Sequence, residues 1–413
     1  MLSVCPYFHV HQPMRIKRYR IFDIGNDNNY FNDESETDLN NKKVLAKVVQ
    51  KSYLPTNLIL LDLLKRHPEF RFALSFSGVV LEQLEKDFPE ILDLFKELVY
   101  TGRVEILGDT YHHSLAFFYS PKEFERQVIQ HRTTIQRLFG QTPTILRNTE
   151  LSYNNDLAQW ADKKGYAGIM AEGWDPILGW RSPNFVYRPK DCKNIKLLLK
   201  NYRLSDDIAF RFSEPSWEGW PLDAPTYAAW ISSHHGNGQT VNLFMDYETF
   251  GEHQWEVTGI FNFLRQLPEE ILKHPNNTFK TPSETIRDYD SVGEIDVPHI
   301  LTWADTDRDL SAWTGNEIQQ AAINDIYKLE DDVYKTKDAV LIEDWRKLQT
   351  SDHFYYMCTK WSADGDVHAY FNPYESPYEA YITFMNVLSD LKLRIQEKQK
   401  KASSGYLTRL ISP

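Results

Sequence analysis

The chain has 413 residues, 42% hydrophobic and 25% charged, which is an ordinary globular composition with ample material for a core. Its 46 basic against 58 acidic residues give a net charge of −12, which disfavours nucleic acid as a main partner, because phosphate binding relies on Lys and Arg. Cys5, Cys192 and Cys358 form no CxxC pair, and the opening MLSVCPYFHVHQP holds neither a signal-like nor a spanning run, so a cytoplasmic location without a membrane partner is expected.

Short apolar or β-branched runs alternate with helical stretches along the chain. Strands are predicted at residues 2–8, 70–76, 104–107, 144–146, 167–170, 195–199, 241–245 and 300–303. Helices are predicted at 43–66, 81–100, 121–139 and 157–164, with Ser120-Pro121 and Asn155 as start signals. Such alternation implies βα units and a parallel sheet closed as a barrel. Beyond about residue 311 the pattern becomes helical, at 318–329, 340–348 and 378–400. The expected division is a catalytic barrel over residues 1–300 and a helical bundle over 301–413. Aromatics reach 14%, with 11 Trp and 23 Tyr, which fits either an aromatic core or a groove of flat rings for apolar sugar faces.

Several predicted strands end in polar and aromatic clusters that make poor turns. The first leads into His9, His11, Gln12 and Pro13. The third leads into Asp109, Tyr111, His112 and His113. The fourth leads into Arg147, Asn148, Thr149 and Glu150, and the seventh into Asp246, Tyr247, Glu248, Glu252 and His253. In a parallel α/β barrel these strand ends share one mouth, where active sites form. Glu150 and Asp246 form the strongest pair, because cleaving a glycosidic bond needs one ionised and one protonated carboxyl group. Two acids in different surroundings can supply both. Taken singly, each acid is as well explained by a helix cap or an ion pair.

These strings resemble glycoside hydrolase family 57. His9-Val10-His11-Gln12-Pro13 is similar to its first signature, and the stretch from Gly102 through Glu105 to Gly108 to its second. Arg147-Asn148-Thr149-Glu150 resembles the third, and Met245-Asp246-Tyr247-Glu248-Thr249-Phe250-Gly251-Glu252-His253 the fourth. The stretch from Asp309 to Gly315, with Trp313, resembles the fifth. The resemblance is closest to the α-amylase branch. It implies an irregular (β/α)7-type barrel followed by a C-terminal helical domain, with the run 195–199 left outside the barrel. It also implies an α-glucan oligo- or polysaccharide substrate, retention of configuration, and neither cofactor nor metal. Glu150 is then the nucleophile and Asp246 the general acid/base.

Supporting substrate contacts are expected from His11, Glu105, His253, Asp309 and Trp313, the last two from the helical part. Glu105, in mid-strand, is expected to point into the barrel and orient a neighbour or a hydroxyl. Trp174 and Trp220 lie in irregular Trp-rich segments that read equally as stacking platforms and as anchors of buried loops. Other readings remain open. They are 4-α-glucanotransferase or pullulan-cleaving activity on the same site, a metal-dependent carbohydrate deacetylase using His9 and His11, and a non-catalytic glucan-binding protein.

Overall fold

The computed structural model describes residues 1–411 except 33, 36 and 37. Among the described residues, seven parallel strands form the framework: β1 (Leu2–Val10), β2 (Phe72–Phe76), β3 (Val104–Ile106), β4 (Ile145–Leu146), β5 (Gly168–Glu172), β6 (Lys196–Lys200) and β7 (Thr240–Asp246). β1 lies between β2 and β7, with Tyr7 opposite both Ala73 and Phe244. β3 continues the sheet beyond β2, and β5 joins β4 to β6 in a second run.

The two runs meet at both edges. Past the end of β3, the Gly108 N–H donates to the Ile145 carbonyl at 2.8 Å and the Gly108 carbonyl accepts from Arg147 N–H at 2.8 Å. At the other seam Asn242 spans β7 and β6. Its side-chain amide donates to Leu199 O at 2.8 Å, and its carbonyl accepts from Asn201 N–H at 2.9 Å. The strands therefore close in sequence order. This corrects the expectation for 195–199, which is a barrel stave as β6. The run outside the barrel is 300–303, where Leu301 instead forms an antiparallel bridge with Tyr153.

Side-chain alternation sorts the barrel interior into layers. Tyr7, Ala73, Leu107, Ile145, Met170, Leu198 and Phe244, one from each strand or its extension, belong to a single apolar cluster. Below it, β8 (Asn277–Phe279) pairs with the N-terminal half of β1. The helix Pro282–Asp288 follows under the barrel. Ile286 joins the apolar cluster, and the Ile286 carbonyl accepts from Lys196 Nζ, at the start of β6, at 2.7 Å.

The outer helices follow the predicted runs, with one division. α1 (Asn41–Val48) and α2 (Leu54–Arg66) run together through a wide π-helical turn at Val49–Tyr53. The run predicted at 81–100 divides into α3 (Gly78–Asp87) and α4 (Pro89–Leu98). Pro89 has no N–H to extend α3, so the chain starts a new helix there. Ser77 caps α3 by accepting from the Val80 N–H. α5 spans Pro121–Phe139.

The described chain forms two compact units. The first holds Met1–Gln12, Leu45–Tyr111 and Gln127–Ala304, and contains the barrel. The second holds Pro13–Val44, His112–Arg126 and the chain from Asp305 onward. The expected cut near residue 300 thus leaves out two inserts that belong to the second unit. Its helices include Glu317–Tyr327, Ala339–Lys347 and Pro377–Ile411, with Trp313 and Trp345 fully buried. Within it the inserts are tied to distant residues. Tyr30 Oη donates to Asp390 at 2.5 Å, Tyr374 Oη to Ile16 O at 2.6 Å, and Arg346 Nε to the buried Glu123 at 2.8 Å. No described helix is long and apolar enough to cross a membrane.

Candidate active site

Two residues above the apolar layer, the same alternation turns a polar residue inward from each strand or strand tip: His9, Ser75, Asp109, Arg147, Glu172, Lys200 and Asp246. The register supports the level, since His9 stands opposite both Ser75 and Asp246, and Glu172 opposite Lys200. His9 Nδ1 shares a hydrogen with Ser75 Oγ at 2.7 Å and lies 3.7 Å from Asp109 Oδ2. Arg147 Nη1 donates to Asp109 Oδ2 at 3.2 Å, with both residues fully buried. Lys200 Nζ lies 2.9 Å from Asp206 and 3.4 Å from Glu172. A buried charge must be paired, and these pairs keep the cations and anions of the mouth in mutual register.

Asp246 ends β7. Burial is the main force raising its carboxyl pKa, and the nearby Glu150 charge adds to it. Arg147, His11 and Lys200 pull the other way, leaving it at about 7. Asp109 rises to about 6 by burial, restrained by Arg147. Glu248 rises to about 8, again by burial first and the Asp246 charge second. Its Oε1 accepts the Tyr53 hydroxyl and the His11 N–H.

Glu150 lies just past β4 with φ 58° and ψ 28°, and Leu151 follows at φ 51°. Two consecutive non-glycine residues in the left-handed region cost roughly 1–2 kcal/mol each. The returning segment holds them. Tyr153 and Leu301 exchange backbone hydrogen bonds at 2.8 and 2.9 Å, and the Trp303 N–H donates to the Glu150 carbonyl at 3.2 Å. The Trp303 indole Nε1–H donates to Glu150 Oε2 at 2.7 Å.

Glu150, Asp246 and His11 are therefore brought together, His11 with its Nδ1 2.6 Å from Ser77 Oγ. Others go elsewhere. Glu105 does point into the barrel, but at the lower end, where its carboxylate accepts the Ser283 N–H at 2.9 Å and the Ser283 hydroxyl. It adds an acceptor to the first turn of the helix Pro282–Asp288, whose N-cap is Thr281. Trp313 is a core side chain of the second unit, 5.9 Å ring-to-ring from Tyr355, not a stacking platform. Asp309, in the same unit, is exposed and accepts the Ser311 N–H at 2.7 Å. His253 follows Glu252, which pairs with Lys47 at 2.8 Å, and burial lowers the His253 pKa to about 4. Trp174 is half-buried ahead of the short helix Asp175–Leu178, and Trp220 is exposed.

Sequence reasoning missed Lys200, Glu172 and Trp303. Strand alternation extended by two residues beyond Met170 and Leu198 would have found the first two. No local signal marks Trp303, because its role comes from a backbone bridge across about 150 residues of chain.

The sequence model described as glycosyl hydrolase family 57 matches residues 7–298, a span that holds both Glu150 and Asp246. A protein of Methanocaldococcus jannaschii, provisionally named an alpha-amylase, is 42% identical over 407 residues, covering 96% of this chain and 85% of its own. A family 57-type branching enzyme from Pyrococcus horikoshii aligns in structure over 89% of this chain and 87% of its own, with a TM-score of 0.64 and 16% identity. The 4-alpha-glucanotransferase from Thermococcus litoralis aligns over 86% and 56%, with a TM-score of 0.61 and 17% identity. These two structures bear on the fold alone.

Proposed function

This chain belongs to glycosyl hydrolase family 57, and from that premise we propose that it cleaves α-1,4-glucosidic bonds in starch- or glycogen-like α-glucans with retention of configuration. Glu150 is the nucleophile and Asp246 the general acid/base. In the first step a Glu150 carboxylate oxygen bonds to the anomeric carbon while Asp246 gives its proton to the departing glycosidic oxygen. In the second, Asp246 takes a proton from water, the water oxygen bonds to the anomeric carbon, and the Glu150 carboxylate leaves.

The observation that carries this reading is the unequal treatment of two acids at one mouth. Asp246 is pushed up to about 7 by burial and by the charge of Glu150, which suits an acid that must start protonated near neutral pH. Glu150 receives an indole N–H, which favours its charged form. A retaining mechanism also requires the two carboxyl groups to be roughly 5–5.5 Å apart in the working enzyme.

Glu150→Gln and Asp246→Asn are each expected to reduce amylose hydrolysis by roughly 10³-fold or more while circular dichroism stays unchanged. Near-normal rates in either variant overturn the assignment. Sizing the products from amylose, pullulan and glycogen tests the mode. Shortened chains support hydrolysis, and chains longer than the substrate indicate 4-α-glucanotransferase chemistry, with a sugar hydroxyl replacing water at the second step. Activity that survives a chelator counts against the metal-dependent deacetylase. A cytoplasmic enzyme acting on a storage-type glucan is part of the same proposal.

A further inference from the structure

We propose that Trp303 is a positioning residue for the nucleophile, holding Glu150 by backbone and side chain at once and keeping its carboxylate in the charged form. This rests on Glu150 being the nucleophile.

Three observations converge on one indole. First, its N–H donates to Glu150 Oε2 at 2.7 Å. Second, the Trp303 main-chain N–H donates to the Glu150 carbonyl at 3.2 Å. That fixes a residue whose φ of 58° would otherwise relax. Third, two buried cations approach the indole, the Arg147 guanidinium at 5.1 Å and Lys200 Nζ at 5.5 Å from the ring. Cations near a ring face draw on its π electrons, which makes the ring N–H a stronger donor. The cations are themselves fixed, Arg147 by Asp109 and Lys200 by Asp206 and Glu172. Arg147 is fully buried, and its Nε and Nη2 meet no acceptor among the described residues.

A hydrogen bond to a carboxylate favours the ion over the acid and over the ester. Its loss therefore raises the pKa of Glu150 and makes the carboxylate a poorer leaving group in the second step. Trp303→Phe keeps a ring for the cations and removes the N–H. The expected result is a fall in kcat of about 10- to 100-fold with KM changed little, and an upward shift of the acidic limb of the kcat/KM–pH profile. Trp303→His, which keeps a ring N–H, is expected to bring that limb back part of the way. If Trp303→Phe proves unstable, benzothienylalanine at position 303 removes only the N–H at constant shape and reads the same limb. An acidic limb that stays in place in a folded variant overturns the proposal, as does a loss confined to stability. Glu150→Gln is run alongside. If that variant keeps its activity, it is the nucleophile assignment that fails. If it is dead and the limb of the Trp303 variants does not move, only the role of Trp303 fails.

Discussion

Asp246 shows how a single residue links activity to pH and stability. As the proposed general acid its carboxyl must be protonated to act, so kcat/KM is expected to fall as pH rises through about 7. Glu150→Gln removes the neighbouring charge, and direct titration of Asp246 in that variant should give a lower value. The stability effect has the opposite sense to that of an ion-paired carboxylate. An acid whose pKa is raised on folding binds its proton more tightly in the native state, so the native state loses stability as pH climbs from the ordinary value of 3.8 towards about 7. Asp246→Asn lifts that penalty. That variant should therefore melt higher than the parent at pH 8, with the gap closing near pH 4, as measured by calorimetry. A parent and variant that keep the same difference at both pH values would show that Asp246 ionises freely.

At the scale of elements, strand tips were readable and depth within the barrel was not. The seven staves fall on predicted apolar runs because parallel strands buried on both faces need continuous hydrophobic sequence. Glu105 illustrates what alternation leaves open. Alternation gives the face of a strand but not the level at which a side chain enters the barrel, and Glu105 enters at the end closed by the helix Pro282–Asp288. Glu105→Ala is expected to cost about 1–2 kcal/mol of stability through the lost bonds to Ser283, with kcat unchanged. A large kcat loss in a stable protein would return Glu105 to the site. The run 195–199 was set outside the barrel because eight apolar runs stand against the seven staves that the resemblance implies. In the fold Lys196 donates to the Ile286 and Tyr289 carbonyls at 2.7 Å each, while Lys200 is buried among carboxylates. Trp313 met the same limit: a ring in a motif reads alike whether it stacks on sugar or fills a core.

For the whole molecule, composition marked out a globular chain, and the change in pattern near residue 311 marked where the helical part begins. It could not mark the inserts at 13–44 and 112–126, because membership of a unit depends on which distant residues bury a segment. Tyr19, Tyr30 and Leu39 are buried, and within their unit the Asn386 side-chain amide donates to the Tyr19 carbonyl at 3.0 Å. A chain cut after residue 304 is therefore expected to exist mainly as aggregate, measured as soluble yield, because these rings would lose their cover. A monodisperse, folded product would show that the inserts find cover without the later helices.

That arrangement also bears on how the protein is made. The bond from Tyr30 to Asp390 joins residues 360 positions apart, so the early insert leaves the ribosome long before its counterpart is translated. Synthesis at about 5–20 residues per second leaves that stretch waiting for tens of seconds. During that interval the Tyr19 and Tyr30 rings of the nascent polypeptide lack the later residues that bury them, which makes the stretch a natural client for a holding chaperone.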